Sequence, residues 1–272
     1  MPETVKVAAV QMDVRLGEVV DNLACVLERL DTAAEHGARL VVFPECVLTG
    51  YGFGDADKAR VAACAAAEAV GALSDRCRGL GVTAVVGTLL PGERTVRNAA
   101  ITFLPDGGQQ VYHKTHLPYL GVDRIVEKGS RLDVVDTPAG RLGTIICYDL
   151  RFPEAARTLA LKGADIVALP TNWPEGSEAS SEFITRARAA ENRVFLIAAN
   201  RVGTEAGFTF TGTSQICDIQ GNRLAVADRI DEVTIYADIV PEEARQKRMV
   251  VVPGAYEMDF IGDRCPEAYA AG

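Results

Sequence analysis

The sequence predicts an α/β fold in which helices cover the outer faces of β-sheets. Three observations lead there. Short apolar runs alternate with amphipathic stretches along most of the 272 residues, the pattern of sheets interleaved with helices. Three Gly-containing turns between β-like runs add hairpins. No repeat, low-complexity segment or linker divides the chain, so residues 1–272 read as one domain. With 48% apolar and 24% charged residues, the chain is ordinary globular material with enough length to bury a large core.

Taken in order, Val5–Gln11 is an apolar strand run, and Val19–His36 carries Asn22, Leu23, Val26, Leu27, Leu30 and Ala33 at helical spacing. Gly37 ends that helix, as a glycine past a C-terminus does. Leu40–Phe43 is a buried strand closed by Pro44, Gly50–Asp57 a loop, Lys58–Gly79 an Ala-rich helix and Val82–Leu89 a strand. Ala99–Phe103 and Gln110–His116 flank Pro105-Asp106-Gly107-Gly108, a hairpin signal. After a loop, Leu117–Leu132, a second hairpin joins Val134–Asp136 to Arg141–Cys147. Then come a helix (Pro153–Lys162), a strand (Asp165–Pro170), a loop (Thr171–Glu178), a helix (Ala179–Asn192) and a strand (Val194–Asn200). Thr213–Asp218 and Leu224–Ala227 make the third hairpin, Glu232–Ile239 is the last strand, Glu242–Arg248 reads as helical, and the tail is irregular.

Bulk properties narrow the function. A formal net charge of −9 argues against nucleic acid or an anionic membrane as the main partner. The N-terminus lacks the pattern of a signal peptide. No apolar run approaches the roughly 18–20 residues that span a bilayer. A cytoplasmic location is the expectation. Seven cysteines, an odd number with no CxxC, do not make a disulfide scaffold or a zinc ribbon.

One cysteine stands apart. In TIICYDLRFPEAAR an apolar strand run stops at Cys147, and Pro153 suits the first turn of the next helix. A tight strand-to-helix turn presents a nucleophile well, although a buried core thiol is the plain alternative. A catalytic thiol needs a base. The three histidines are His36, His113 and His116. Either of the last two is a conceivable partner of Cys147. They are also a conceivable metal pair, but on a strand they point to opposite faces, and no carboxylate or cysteine cluster supports a metal. Glu45 after VVFP, Lys114 near the end of a second strand and Cys147 at the end of a third suit one pocket at a sheet edge. Taken singly, Glu45 also reads as a helix cap or solvated carboxylate, and Lys114 as a surface lysine.

The surrounding sequence resembles a known family. VVFPECVLTGY, YHKTHLP and GTIICYDLRFPEAARTLALKGADIVALPTNWP look like the three signature regions of the carbon–nitrogen hydrolase (nitrilase) superfamily, and RARAAENRVFLIAANRVG and FTGTSQICDIQGNRLAVA look like its later segments. The likeness runs from about Val5 to Ile239. It implies a four-layer αββα sandwich, self-association to a dimer or larger, and a Glu45–Lys114–Cys147 triad with no cofactor and no metal. Cys147 would attack a carbonyl carbon while Glu45 moves protons. Lys114 and the Tyr148 N–H would face the oxyanion, and Lys114 would also favour the thiolate. Many members carry a second glutamate in the loop between lysine and cysteine, before a Pro-Gly pair. Here that pair is Lys128-Gly129, and the candidates for the second acid are Asp123 and Glu127.

Cys147-Tyr148-Asp149 looks like the amidase branches of the family, ω-amidases among them. Asp149 also reads as a cap of the next helix. Arg151 is a candidate for holding a substrate carboxylate, or an ion-pair partner of Asp149 or Glu154. Asn172 and Trp173 should sit at the next strand end, by the same pocket, with Tyr51 and Phe53 further wall candidates. Glu191-Asn192 is expected to brace the triad. The reading is a thiol amidase that cleaves the terminal amide of a small linear molecule. Its alternatives are an N-carbamoyl amine or amino acid amidohydrolase, an amide-forming acyltransferase, and a binding protein that keeps the fold without turnover.

Overall fold

The structure, a computed structural model, describes residues 3–269. In the first half, β1 (Val5–Gln11), β2 (Leu40–Val42) and β3 (Thr83–Pro91) lie parallel. The antiparallel strands β4 (Val96–Phe103) and β5 (Gln109–His113) extend them. The second half repeats the plan. After an antiparallel edge strand, β6 (Val134–Thr137), come three parallel ones, β7 (Gly140–Thr144), β8 (Ile166–Pro170) and β9 (Phe195–Ala199). A two-residue hairpin, β10 (Thr204–Glu205) and β11 (Phe208–Thr209), leads to β12 (Gln215–Cys217) and β13 (Arg223–Val226). Finally β14 (Val233–Ile239) returns to pair with β1. The result is two six-stranded sheets, ordered β14-β1-β2-β3-β4-β5 and β13-β12-β9-β8-β7-β6.

Strand residues sort by the two-residue period of the pleat. Val7, Ala9, Leu40 and Val42 point between the sheets and meet Ile166, Ala168 and Ile197 of the second sheet. Ala8, Val10, Val41 and Phe43 point outward under α1 (Val19–Glu35) and α2 (Ala56–Leu80). The outer face of the second sheet packs under α3 (Pro153–Leu161) and α4 (Thr185–Asn192) through Leu159, Val167, Ala189 and Leu196. With both faces covered, the central strands are continuously apolar. Each fully buried Leu, Ile or Val contributes about 1.5–3 kcal/mol. This is the αββα sandwich that the resemblance implied. Among the described residues no helix is long and apolar enough to cross a membrane.

The helices follow from local chemistry. In α1, Val19, Asn22, Val26, Leu30 and Ala33 are buried at three- and four-residue spacing. In α2 the Asp55 carboxylate accepts the Asp57 and Lys58 N–H groups, and Gly81 ends the helix in the left-handed conformation.

Four stretches differ from the sequence expectation. The strand expected to reach Cys147 ends at Thr144, because the Ile146 N–H turns to the Asp149 carboxylate. The strand expected to reach His116 ends at His113, because the His116 N–H is also taken by Asp149. The helix expected from Ala179 starts with a wide turn, Ser180–Ile184, before α4, and the Thr185 hydroxyl bonds back to Ser180 O. Glu242–Arg248 is not one helix: a short 3-10 turn, Pro241–Arg245, gives way to a hairpin of β15 (Arg248–Val252) and β16 (Tyr256–Asp259).

The sheets are joined where it matters. Met12, just past β1, bridges in parallel to Arg201, just past β9. The C-terminal ends of the parallel strands in both sheets therefore share one edge, and β5 ends there too after two reversals.

Candidate active site

The chain leaves β2 through Pro44 and turns tightly at Glu45-Cys46, with the Thr49 and Gly50 N–H groups both donating to Cys46 O. A side chain at position 87 of β3 would put its Cβ 2.3 Å from Pro44 O and 2.7 Å from the Glu45 Cα. Gly87 is what lets this turn fold onto the sheet. Lys114, one residue past β5, is fully buried, and its Nζ donates to Glu45 Oε1 at 2.7 Å and to Asp123 Oδ2 at 2.5 Å. Asp123 lies in a 3-10 turn, Gly121–Arg124, inside the segment expected to be loop. Asn98 Nδ2 bonds both acids, Glu45 Oε1 at 2.7 Å and Asp123 Oδ1 at 2.9 Å. The Tyr51 hydroxyl donates to Asp123 Oδ2 at 2.8 Å. A Cβ at Gly121 (φ 48°) would lie 2.3 Å from the Tyr51 ring, so only glycine admits this packing.

From the other sheet comes Cys147. Its φ is 45°, a left-handed conformation that costs a non-glycine residue free energy and is held only when its surroundings over-determine it. Asp149 does much of that holding. Fully buried, it accepts from the Ile146 N–H (2.9 Å), the Tyr112 hydroxyl (2.7 Å), the Thr115 hydroxyl (2.9 Å), and the N–H (2.9 Å) and Nδ1 (2.7 Å) of His116. Asp149 thus caps the turn that carries the thiol, Cys147–Arg151, rather than α3.

Burial dominates the electrostatics of the cluster. Burial, and then the Glu45 carboxylate, push the Cys147 thiol up to about 12, while Lys114, the Thr171 hydroxyl and the Asn172 N–H only partly offset them. Lys114 thus favours the thiolate, as expected, but burial and Glu45 outweigh it, so a base must take the proton as the sulfur reacts. Burial also raises Glu45, and Asp123 adds to that, against the pull of Lys114. Burial opposes the charge on Lys114, yet Asp123 and Glu45 outweigh it and hold the ammonium well above its ordinary value. Glu45 Oε2 is buried without a hydrogen-bond partner. The arrangement therefore holds a carboxylate with one free oxygen, a fixed cation and a protonated thiol.

Cys147 opens into a cleft of about 340 Å³ lined by Tyr51, Tyr148, Arg151, Asn172 and Trp173. Tyr51, Arg151, Asn172 and Trp173, expected as walls, meet there with Tyr148; Phe53, also expected, lines a separate cleft with Leu16 and Val61 instead. Arg151 is exposed and, among the described residues, forms no ion pair with Asp149, Glu154 or any other acid. Asn172 is 1% exposed, and neither polar atom of its side chain has a partner.

Other candidates lie elsewhere. Glu127 is not part of the cluster: it accepts the Arg94 and Thr95 N–H groups and pairs with Arg97. His113 sits by Arg97 and His116 on Asp149, so neither pairs with Cys147. Among the described residues no three His, Cys, Asp or Glu side chains gather to hold a metal. Glu191 and Asn192 do not brace the triad; their backbone carbonyls receive Arg157 and Lys247.

Three contributors were not anticipated. Asn98 bridges the two acids. Asn200 Oδ1 accepts the Trp173 N–H at 2.8 Å. Glu205 Oε1 accepts the Tyr51 and Gly52 N–H groups at 2.8 and 2.7 Å. For Asn98 and Asn200 a signal existed: each is a polar residue in or directly after an otherwise apolar strand run.

Residues 6–249 match the carbon-nitrogen hydrolase family. The chain belongs to that family. A nitrilase of Pyrococcus abyssi is 35% identical over 249 residues, covering 90% of this chain and 93% of its own. An omega-amidase of Danio rerio is 31% identical over 233 residues, covering 80% and 82%. The structure of a carbon-nitrogen hydrolase from Helicobacter pylori superposes with a TM-score of 0.81 at 25% identity, over 89% of this chain and 91% of that one. In this carbon-nitrogen hydrolase the three motifs that carried the resemblance deliver their polar side chains to one edge, two from the first sheet and one from the second.

Proposed function

We propose that the protein is a thiol amidohydrolase, cleaving the terminal amide of a small linear substrate to a carboxylate and ammonia through a thioester on Cys147. The observation that carries this reading is the free, buried Oε2 of Glu45, on a carboxyl raised toward neutrality, in a site whose thiol is protonated. As the sulfur attacks the amide carbon, Glu45 takes the thiol proton. It then gives that proton to the leaving nitrogen, and ammonia departs. Lys114 Nζ and the Tyr148 N–H stabilise the oxyanion. Glu45 next activates a water that attacks the thioester, and the acid is released. Asp123, in place of the family's second glutamate, keeps Lys114 charged and aimed.

The cleft supports a substrate class. A volume of about 340 Å³ suits a small molecule. The unpartnered Asn172 carboxamide suits an amide group, since a buried polar group left alone costs about 1–3 kcal/mol. The unpaired Arg151 at the rim suits a distal carboxylate. The relationship to an omega-amidase is in keeping with that. We also propose self-association through the face of α3 and of the Ser180–Ile184 turn, where Leu161 and Phe183 stand 45% and 65% exposed.

The test is ammonia release from a panel of short aliphatic amides, dicarboxylate monoamides, ω-amino amides, N-carbamoyl compounds and a nitrile, beside Cys147→Ala. Amide turnover that vanishes in the variant is expected, with monoamides of dicarboxylates best. Turnover confined to N-carbamoyl compounds moves the protein to that class. Silence on every compound, with amide formation when an amine is offered to an acyl donor, makes it an acyltransferase.

A further inference from the structure

Tyr51 holds Asp123, and something must hold Tyr51. Its loop, Gly50–Phe53, has no regular secondary structure, and loops of this kind are positioned by what they are bonded to. The two N–H groups at its tip, of Tyr51 and Gly52, both end on Glu205 Oε1. The other oxygen, Oε2, receives Arg201 Nη1 at 2.9 Å. Arg201 is 0% exposed. Its second nitrogen, Nη2, bonds Asp13 Oδ1 at 2.8 Å and Val14 O at 2.7 Å, and its guanidinium lies 4.4 Å from the centre of the Phe210 ring. Glu205 itself stands one residue before Ala206 (φ 50°) and Gly207 (φ 85°) in the β10–β11 turn.

We infer that Arg201 and Glu205 form a positioning pair for the reaction: they set the Tyr51 loop, and through the Tyr51 hydroxyl they set the Asp123 carboxylate that holds Lys114. Each link is a hydrogen bond of 2.5–2.9 Å: Arg201 donates to Glu205, the Tyr51 and Gly52 N–H groups donate to Glu205, and the Tyr51 hydroxyl and Lys114 both donate to Asp123. A buried ion pair adds little net stability over an apolar replacement. Fixing a loop in one place is the return on this one. The chain begins at the edge where the Met12–Arg201 bridge joins the two sheets, so Arg201 ties the position of a first-sheet wall to the second sheet. The preceding residue, Asn200, fixes the opposite wall through the Trp173 N–H. The inference rests on the proposed roles of Lys114 and Asp123.

The experiment reads Cys147 directly, without requiring amide turnover. Chloroacetamide alkylates the thiol: sulfur displaces chloride, and the thiol proton passes to Glu45. The rate is followed by mass spectrometry on the full-length protein, with ammonia release measured in parallel. The variants are Glu205→Gln, Tyr51→Phe and the double variant. Each single change should slow alkylation roughly ten-fold, the loss expected of a hydrogen bond to a charged group. The double should be no slower than the worse single, because both act along one chain. Asp13→Ala, which removes the Oδ1 acceptor at the exit of β1 but leaves Arg201 its bonds to Val14 O and Glu205, should lower the melting temperature and leave alkylation unchanged. If Glu205→Gln does not fold, Arg201→Lys replaces it in the same cycle. Losses that multiply in the double variant, or a lowered melting temperature with unchanged alkylation in Glu205→Gln or Tyr51→Phe, overturn the positioning role. Coupled alkylation without ammonia from any compound leaves the pair standing and sinks the amidase reading instead.

Discussion

At Glu45 two neighbours pull in opposite directions. Burial and Asp123 raise its carboxyl; Lys114 lowers it. If Glu45 must be ionised to take the thiol proton, the acid limb of kcat/KM lies above the ordinary value of 4.5. Asp123→Asn removes a contribution that raises Glu45, so the limb should move to lower pH even as the rate falls through a poorly held Lys114. A pH–rate profile of both proteins checks this, and a limb that stays put or moves up contradicts it. The same residues show what was legible one side chain at a time. Glu45, Lys114 and Cys147 were readable because each sits in a motif that resembles a family signature. The choice between Asp123 and Glu127 was not. They are four positions apart, and only folding reveals that the 3-10 turn carries Asp123 under Tyr51. The Arg94 and Thr95 N–H groups claim Glu127 and hold its carboxyl down at about 2.

At the scale of elements, Lys247 joins the C-terminal hairpin to α4. Its Nζ donates to Asn192 O at 3.0 Å and Arg193 O at 2.8 Å, the carbonyls at the end of that helix. Burial lowers its ammonium from 10.5 to about 8, with Arg193 and Arg157 adding to the effect and Asp165 opposing it. Between those values the unfolded chain binds the proton that the folded chain has lost, so stability should rise with pH across that window. In Lys247→Gln that increment should be missing from melting temperatures taken at pH 8 and pH 10.5; an equal rise in both proteins refutes the linkage. This element also exposes the weakness of periodicity. Glu242–Arg248 reads as helical by pattern, but Pro241–Arg245 completes only a 3-10 turn because Lys247 is drawn to the α4 terminus and Arg248 starts a strand. Likewise the apolar run into Ile146 outlasts β7, whose ladder ends when a side-chain carboxylate three residues on takes the next N–H.

Across the whole molecule, the reacting groups come from two sheets. Glu45 and Lys114 stand on the first and Cys147 on the second, so their alignment depends on the apolar layer between them, with Leu40, Val42, Ile166 and Ile197 fully buried. That dependence would give the proposed self-association a role. A partner seated against α3 and the Ser180–Ile184 turn would brace the second sheet from outside, over the turn that presents Cys147. Phe183→Glu should lower the assembly mass in light scattering and slow turnover more than it lowers the melting temperature. A variant that keeps the wild-type mass removes this face from consideration.

Most strands and helices of the two sheets were legible in local patterns, and the αββα plan and the three motif residues in the resemblance of short motifs to a family. Each depends on local information: the spacing of apolar side chains, the turn residues and the chemistry of a short motif. The tertiary structure alone decided which acid joins Lys114, that burial raises the Cys147 thiol, and that Asp149 caps the cysteine turn. It also decided that Arg201 and Glu205 reach the site. These depend on distances between residues far apart in the chain, such as Glu205 and Tyr51, and on burial, which shifts the charge state of a group according to everything packed around it.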